Sequence, residues 1–318
     1  MTYSSVIDAI GNTPLIDLSR ICRALELDGR IIAKLDYLLP GFSKKDRAAR
    51  AIIEAARADG SLRPGQPVVE LTSGNMGTGL AIVCGVLRHP FVAVMSAGNS
   101  VERARMMRAL GAEVVIVPQA PGSVPGSVSG EDLAVVEEAA QQLTIERGAF
   151  RADQFAHAGN PLSHETGTGP EIWQQSDEQV TAFCDFVGSG GTLAGTARYL
   201  GNRGVRSYAI EPTGAEVLAN LPVQSPDHPI QGGGYAMPDL THLRDVPIAG
   251  YLSVSGAQAR SYSRLLARHE GIFAGFSSGA NLAGAVQLLK GPERGGCIAI
   301  VMCDSGLKYL STDLWEDA

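Results

Sequence analysis

The stretch Ser43-Lys44-Lys45-Asp46-Arg47 brings a primary amine to the first turn of a predicted helix. Ser43 is expected to cap that helix, and Asp46 falls in its first turn, where a carboxylate suits the positive end of the helix dipole. Ala49, Ile52, Ile53 and Ala56 recur at helical spacing and define an apolar face that runs to about Arg57, with Lys45 one turn ahead of Ala49 on it. Lys44 heads the weaker row Ala48, Ala51, Ala55. A helix N-terminus and partial burial both disfavour an ammonium ion, so Lys45 is the residue expected to offer a free amine for Schiff-base chemistry. Lysine pairs are ordinarily solvated surface groups. Here only five lysines exist (Lys34, Lys44, Lys45, Lys290 and Lys308), and the loops hold the other parts that such chemistry needs.

Three loops lead into helices. Thr72-Ser73-Gly74-Asn75-Met76-Gly77-Thr78-Gly79 follows the apolar run Val68–Leu71 and aims backbone N–H groups and hydroxyls at one point, a site for a carboxylate or phosphate. Asn75 adds an amide that donates and accepts; the glycines equally permit a plain tight turn. Gly188-Ser189-Gly190-Gly191-Thr192 can wrap a phosphate with backbone N–H groups and two hydroxyls. A dinucleotide fingerprint would need glycine where Leu193 stands, and a Walker loop would need Lys-Ser/Thr where Thr196-Ala197 follow Gly195. A monophosphate cup remains. Gly275-Phe276-Ser277-Ser278-Gly279 matches the GxSxG elbow of serine hydrolases, but those need a later histidine and the last one here, His269, precedes Ser277. Ser277 is therefore read as a neutral hydrogen-bonding partner for a heteroaromatic nitrogen. One amine, one phosphate cup, one anion loop and one neutral partner are the parts of a pyridoxal 5′-phosphate site. A hydroxyl at the ring nitrogen favours loss of a β-leaving group, where an aspartate would favour transamination.

The elements that must hold these loops alternate between short apolar runs and helical patterns. After a turn at 11–15 come a strand at Ile31-Ile32-Ala33 and the lysine helix. Then follow Val68–Leu71 and a helix from Leu80; Phe91–Met95 and helix Val101–Leu110; Val114–Val117 and a helix from Glu131 to about Glu146. The pattern resumes with Phe183–Val187 and a helix from Thr192; Tyr208–Glu211; Tyr251–Val254 and helix Ala257–Gly271; helix Ala280–Leu289; and Ile298–Met302. This alternation predicts an α/β protein with mostly parallel sheets. The Pro/Gly/Ser-rich segment 118–130 reads as a loop, either mobile near the substrate mouth or a plain surface connection. A domain change is expected near residue 150.

Composition narrows the function classes. A net charge of −7 and a pI near 5.4 oppose a nucleic-acid or anionic-membrane role. No apolar run approaches the ~18 residues of a membrane span, and the first residues lack a basic start and an apolar core, so a cytoplasmic location is expected. Five scattered cysteines read as core thiols, and the six histidines show no paired-ligand spacing, so no protein-bound metal is expected.

At these residues the chain resembles the cysteine synthase and cystathionine β-synthase group of pyridoxal-phosphate enzymes, of fold type II (tryptophan synthase β-like), over essentially its full length. The landmarks occur in order: Gly11-Asn12-Thr13-Pro14-Leu15, Ser43–Arg47, Thr72–Gly79, Glu102-Arg103, Gly188–Thr192, Ile230-Gln231-Gly232, Gly275–Gly279, and Asp304-Ser305-Gly306 followed by Tyr309-Leu310-Ser311-Thr312. The resemblance implies two open α/β domains, about 35–152 and 153–318, with an early segment of about 12–34 crossing into the second, and a homodimer. It implies that Lys45 is the Schiff-base lysine that also moves the α-proton. Asn75 would bond the cofactor's 3′ oxygen, Gly188, Ser189, Gly190, Gly191 and Thr192 its phosphate, and Ser277 its ring nitrogen. Thr72, Ser73 and Gln154 would bind the substrate carboxylate in the loop that also holds Gly74 and Met76. The implied reaction is β-replacement on an activated serine through an aminoacrylate, with sulfide as the nucleophile in cysteine synthase itself.

Two departures bear on the substrate. Met76 stands where threonine is common, and Gly232-Gly-Gly-Tyr235-Ala236-Met237 replaces Gly-Ile-Gly-Ala-Gly-Phe, so the pocket for leaving group or nucleophile is expected to differ in shape. O-phosphoserine as donor, an amine, thiosulfate or homocysteine as nucleophile, a serine/threonine deaminase, and a cofactor-binding regulator without catalysis stay open as alternatives.

Overall fold

The computed structural model describes residues 2–72, 74–123 and 128–316. Ser73 of the first loop and residues 124–127 of the 118–130 segment lie outside them. Among the described residues the strands are β1 Leu15–Asp17, β2 Arg30–Lys34, β3 Val68–Leu71, β4 Phe91–Ser96, β5 Glu113–Val117, β6 Phe150–Arg151, β7 Ala182–Phe186, β8 Arg206–Pro212, β9 Gly250–Val254 and β10 Cys297–Val301. The α-helices are α1 Ser19–Ala24, α2 Lys45–Ala58, α3 Asn75–Leu87, α4 Val101–Ala109, α5 Gly130–Glu146, α6 Gly159–Ser163, α7 Gly169–Gln175, α8 Gly191–Gly201, α9 Gly256–Leu265 and α10 Phe276–Leu289.

Two sheets form. One has four strands in the order β5-β4-β3-β6, all parallel; the other has six, β1-β2-β10-β7-β8-β9, parallel except for β1. Every residue of β3, β4, β7 and β10 is buried, as expected of strands covered by helices on both faces. Strands β1 and β2 belong to the larger sheet, where β2 lies beside β10 with Ile31 in register with Ile298. The apolar face of α2 is buried as its spacing predicts: Ala48, Ala49, Ile52, Ile53 and Ala56 are inaccessible to solvent.

Several details differ from expectation. Lys44, already in helical conformation, occupies the cap position of α2 without a side-chain capping bond; Asp46 N donates to the Ser43 carbonyl, while the Ser43 hydroxyl is buried without a hydrogen-bond partner. The expected Ser43 cap is thus corrected. Helices α3 and α10 begin at Asn75 and Phe276, so several residues read as loop form first helical turns. Strand β1, helix α1 and the run α6, a π-helical turn at His164–Thr168, and α7 had no clear periodicity, because Gly-Asn-Pro and Gly-Thr-Gly-Pro look like turn signals.

An ionic cluster fastens α2 to its surroundings. Arg47 pairs with Asp36 at 2.9 Å and Glu171 at 2.7 Å, and Lys34 reaches Glu171 at 2.6 Å and the Thr13 carbonyl at 2.6 Å. Each buried charge here has a partner, the condition under which such groups are tolerated inside a protein. The lysine helix therefore has a fixed register against the early segment and α7. No helix among the described residues is long and apolar enough to cross a membrane.

Candidate active site

The amino-terminal turns of α2, α3, α8 and α10 converge on one cavity. Lys44, Lys45, Asn75, Asp185, Phe186, Gly188, Ser189, Gly190, Gly191, Thr192, Gln231, Gly232, Ser277 and Cys303 line it. It lies beyond the carboxyl end of β7, the usual place for a ligand in an open α/β sheet.

Lys45 Nζ donates to Gln154 Oε1 at 3.1 Å and to Ser189 Oγ at 3.3 Å, so the amine bridges the cup and the expected carboxylate binder. Burial, with the neighbouring Lys44 charge second, lowers its pKa to about 8. Lys44 differs. Burial opposes its charge, but Nζ meets both oxygens of Asp185 at 2.7 Å, and the outcome is a pKa above the ordinary lysine value. Adjacent lysines are thus separated into a structural cation and a titratable amine.

The cup is built by close packing. Gly190 has φ +83°, a conformation that favours glycine; a Cβ on Gly188 would stand 2.6 Å from the Gly232 carbonyl oxygen, and one on Gly191 would stand 2.1 Å from Asn160 Oδ1. Asn160 Nδ2 donates to Ser189 Oγ at 3.0 Å and to the Gln154 carbonyl at 2.7 Å, and His242 Nε2 lies 2.9 Å from that same carbonyl. Thr192 Oγ1 lies 3.3 Å from His164 Nε2; burial, then nearby cations, pushes the imidazole well below its ordinary pKa, leaving it neutral. A cradle in which Gly188, Gly190 and Gly191 leave no room for a Cβ, two tethered hydroxyls and a neighbouring amine fit a phosphate-bearing aldehyde cofactor.

The remaining expected residues are placed as follows. Ser277 lines the cavity from the first turn of α10. The Thr72 hydroxyl accepts from the N–H groups of Gly74 and Gly77 at 3.0 and 2.8 Å. Gly74, with φ +130°, packs so tightly on Arg103 that a Cβ would lie 2.5 Å from its Cδ. The Met76 side chain enters the core of the four-stranded layer rather than the cavity wall. Gly232 and Gln231 also border a second, larger cavity of about 880 Å³, whose wall includes Tyr235, His228, Asp227, Asp313, and Ser123 and Ser129 from the 118–130 segment. Tyr235 meets Phe155 edge-on at 6.3 Å.

Sequence reasoning missed Asp185, Asn160 and His164, and it did not place Cys303 in the wall. An acid inside the apolar run Phe183–Val187 was the available signal, since a buried carboxylate calls for a cation. Nothing in the spacing marked Asn160. All five cysteines are free and buried.

Comparison with known proteins agrees with this geometry. The family described as pyridoxal-phosphate dependent enzymes matches residues 6–304. Cysteine synthase 3 of Caenorhabditis elegans is 38% identical over 314 residues, covering 98% of this chain and 89% of its own; the cysteine synthase of Staphylococcus aureus strain Mu50 is 35% identical over 315 residues, covering 98% and 97%. Among solved structures, O-ureido-L-serine synthase superposes with a TM-score of 0.88 at 34% identity, covering 100% of this chain and 96% of its own. The O-acetylserine-dependent cystathionine β-synthase of Helicobacter pylori gives a TM-score of 0.89 at 30% identity, covering 99% of each chain. The fold and site define a fold type II pyridoxal-phosphate enzyme. Within that class, the chain belongs to the cysteine synthase and cystathionine β-synthase family.

Proposed function

We propose that this protein catalyses β-replacement on an activated L-serine, O-acetylserine in the first instance, with sulfide as nucleophile and L-cysteine as product. The observation that carries this reading is that the Lys45 amine, with its lowered proton affinity, shares a cavity with the Gly188–Thr192 cup in a chain of this family. Bound pyridoxal 5′-phosphate supplies an electron sink for negative charge at the substrate α-carbon. Lys45 would hold the cofactor covalently through Nζ, and once the incoming substrate amine has taken that place the freed Lys45 amine would take the α-proton and return it. Gly188, Ser189, Gly190, Gly191 and Thr192 would hold the phosphate, Asn75 would bond the ring 3′ oxygen, and the Ser277 hydroxyl would serve the ring nitrogen. Gln154, with Thr72 and the N–H groups of its loop, receives the substrate carboxylate. Gly232 and Tyr235 border the path of the nucleophile. Two α/β domains, 35–152 and 153–318 with the crossing segment 12–34, meet at this cavity in a cytoplasmic homodimer.

The test is the absorbance of the reconstituted protein. A visible band that O-acetylserine alters and sulfide restores, with cysteine formed in equal amount, supports the reading; absence of any band after reconstitution overturns it. The cavity of about 880 Å³ beside Gly232 favours a second reading, in which the nucleophile is bulkier than sulfide: an amine, thiosulfate or homocysteine. Faster turnover with one of these selects it, while pyruvate and ammonia released without any nucleophile would mark a deaminase.

A further inference from the structure

We infer that Lys308 and Asp304 are positioning residues that fix which end of the Asn75 amide faces the cofactor, so that one N–H remains for the ring 3′ oxygen. The inference rests on the reading of Asn75 given above.

The argument is one of donors and acceptors. An asparagine side chain offers one carbonyl oxygen and two N–H donors. Lys308 Nζ, which can only donate while charged, lies 2.8 Å from Asn75 Oδ1 and 2.8 Å from the Gly41 carbonyl oxygen. On the other side Asn75 Nδ2 donates to Asp304 Oδ2 at 2.7 Å, and the Tyr309 hydroxyl donates to that same oxygen at 2.7 Å. Turning the amide over would set its NH₂ against the Lys308 amine and its carbonyl against the Asp304 carboxylate, two mismatched contacts in a buried place. Lys308 is 4% exposed and Asp304 and Tyr309 are fully buried, so water has little access to the two partners of the half-buried Asn75.

The clamp itself is anchored. Asp304 forms an isolated backbone bridge with Ser43, and Ser305 forms one with Ala274; Gly275 N donates to the Asp304 carbonyl at 3.0 Å. The segment after β10 thereby reaches from the six-stranded layer to the first residue of α3. With Asp304 taking one amide proton, the second belongs to the side of Asn75 that lines the cavity with Lys45 and Ser277. A donor there stabilises the deprotonated 3′ oxygen and with it the long-wavelength absorbance of the bound cofactor.

The test compares visible spectra and pyridoxal phosphate affinities of holo-protein variants. Asn75→Ala is the reference and is expected to move absorbance from the long-wavelength to the short-wavelength band. Lys308→Met and Asp304→Leu, which remove the donor and the acceptor with Asn75 intact, are expected to reproduce most of that change and to weaken cofactor binding about tenfold, the loss of one charge-assisted bond. Lys308→Arg, which keeps a donor, is expected to retain the original spectrum. If Asn75→Ala leaves the spectrum unchanged, the placement of Asn75 at the 3′ oxygen falls. If Asn75→Ala shifts it while folded Lys308→Met and Asp304→Leu do not, the positioning role is overturned and the site reading stands. Should a clamp variant fail to fold, the Asn75 side-chain amide resonances of the wild-type holoenzyme decide: two protected protons support the inference, one rapidly exchanging proton overturns it.

Discussion

Lys44 Nζ lies 2.7 Å from each carboxylate oxygen of Asp185, and the pair forms part of the wall of the cavity that the amine of the very next residue enters. Asn281 Nδ2 supports it by donating to Asp185 Oδ1 at 3.1 Å. Asp185→Asn strands a buried ammonium ion and is expected to destabilise the apo protein by about 3–5 kcal/mol, whereas the double change Lys44→Met with Asp185→Leu is expected to cost less than Asp185→Asn alone. Urea denaturation midpoints measure both; a double variant weaker than Asp185→Asn would contradict the pairing argument.

The proton on Lys45 gives a pH signature. Below its pKa of about 8 the amine is protonated and has no lone pair; above it the amine is neutral, whereas an ordinary lysine remains charged to about pH 10.4. Attachment of pyridoxal phosphate to the apo protein is therefore expected to accelerate through pH 8 and level off by about pH 9. Lys44→Met removes a neighbouring positive charge and leaves Asp185 unpaired, both of which move that midpoint upward. Stopped-flow absorbance follows the reaction, and a wild-type midpoint near 10 would exclude a lowered amine.

The division of labour between the two lysines can be read chemically. Borohydride reduction followed by peptide mass spectrometry is expected to find the cofactor on Lys45 and never on Lys44. Lys45→Ala is expected to lose about 10³-fold or more in kcat, the range for removing a positioned proton carrier. A label on Lys44 would reverse the assignment.

Gly191→Ala tests the cup. Its Cβ would push on Asn160 Oδ1 from 2.1 Å, and Asn160 ties Ser189 to Gln154. Overpacking of this kind costs about 1–3 kcal/mol, and to the extent that it displaces the cup the Kd for pyridoxal phosphate is expected to rise by about 5- to 150-fold. Gly201→Ala at the far end of the same helix, with nothing within 4 Å of the added methyl, is the control and should bind normally. Fluorescence titration of the apo proteins compares them.

Much of this layout was legible in the sequence because burial writes itself into composition. Val68–Leu71 and Phe91–Met95 are almost unbroken apolar runs, and both are strands buried along their whole length. The face Ala49, Ile52, Ile53, Ala56 carried the lysine helix for the same reason. The helix starts at Asn75 and Phe276 were not legible, since glycine, serine and asparagine have weak helix propensity and the helical turn is imposed by tertiary contacts such as the Gly77 N–H on Thr72. Asn160 could not be ranked beforehand, because its importance comes from a partner distant in sequence, Ser189; for Asp185 the acid in an apolar run was a signal, but its partner Lys44 lies 141 residues away.

The placement of β10 between β2 and β7 has a consequence for biosynthesis. The four-stranded layer uses strands that follow one another, from Val68 to Arg151, and can assemble while the chain is still being made. The larger layer cannot, because the last strand to be synthesised is the one that joins Ile31 to Phe183 through Ile298 and Ala299. Pairing across so long a separation is slow. Until Val301 has left the ribosome, the nascent chain carries β2 and β7 with open hydrogen-bonding edges, the kind of surface that recruits chaperones or other chains.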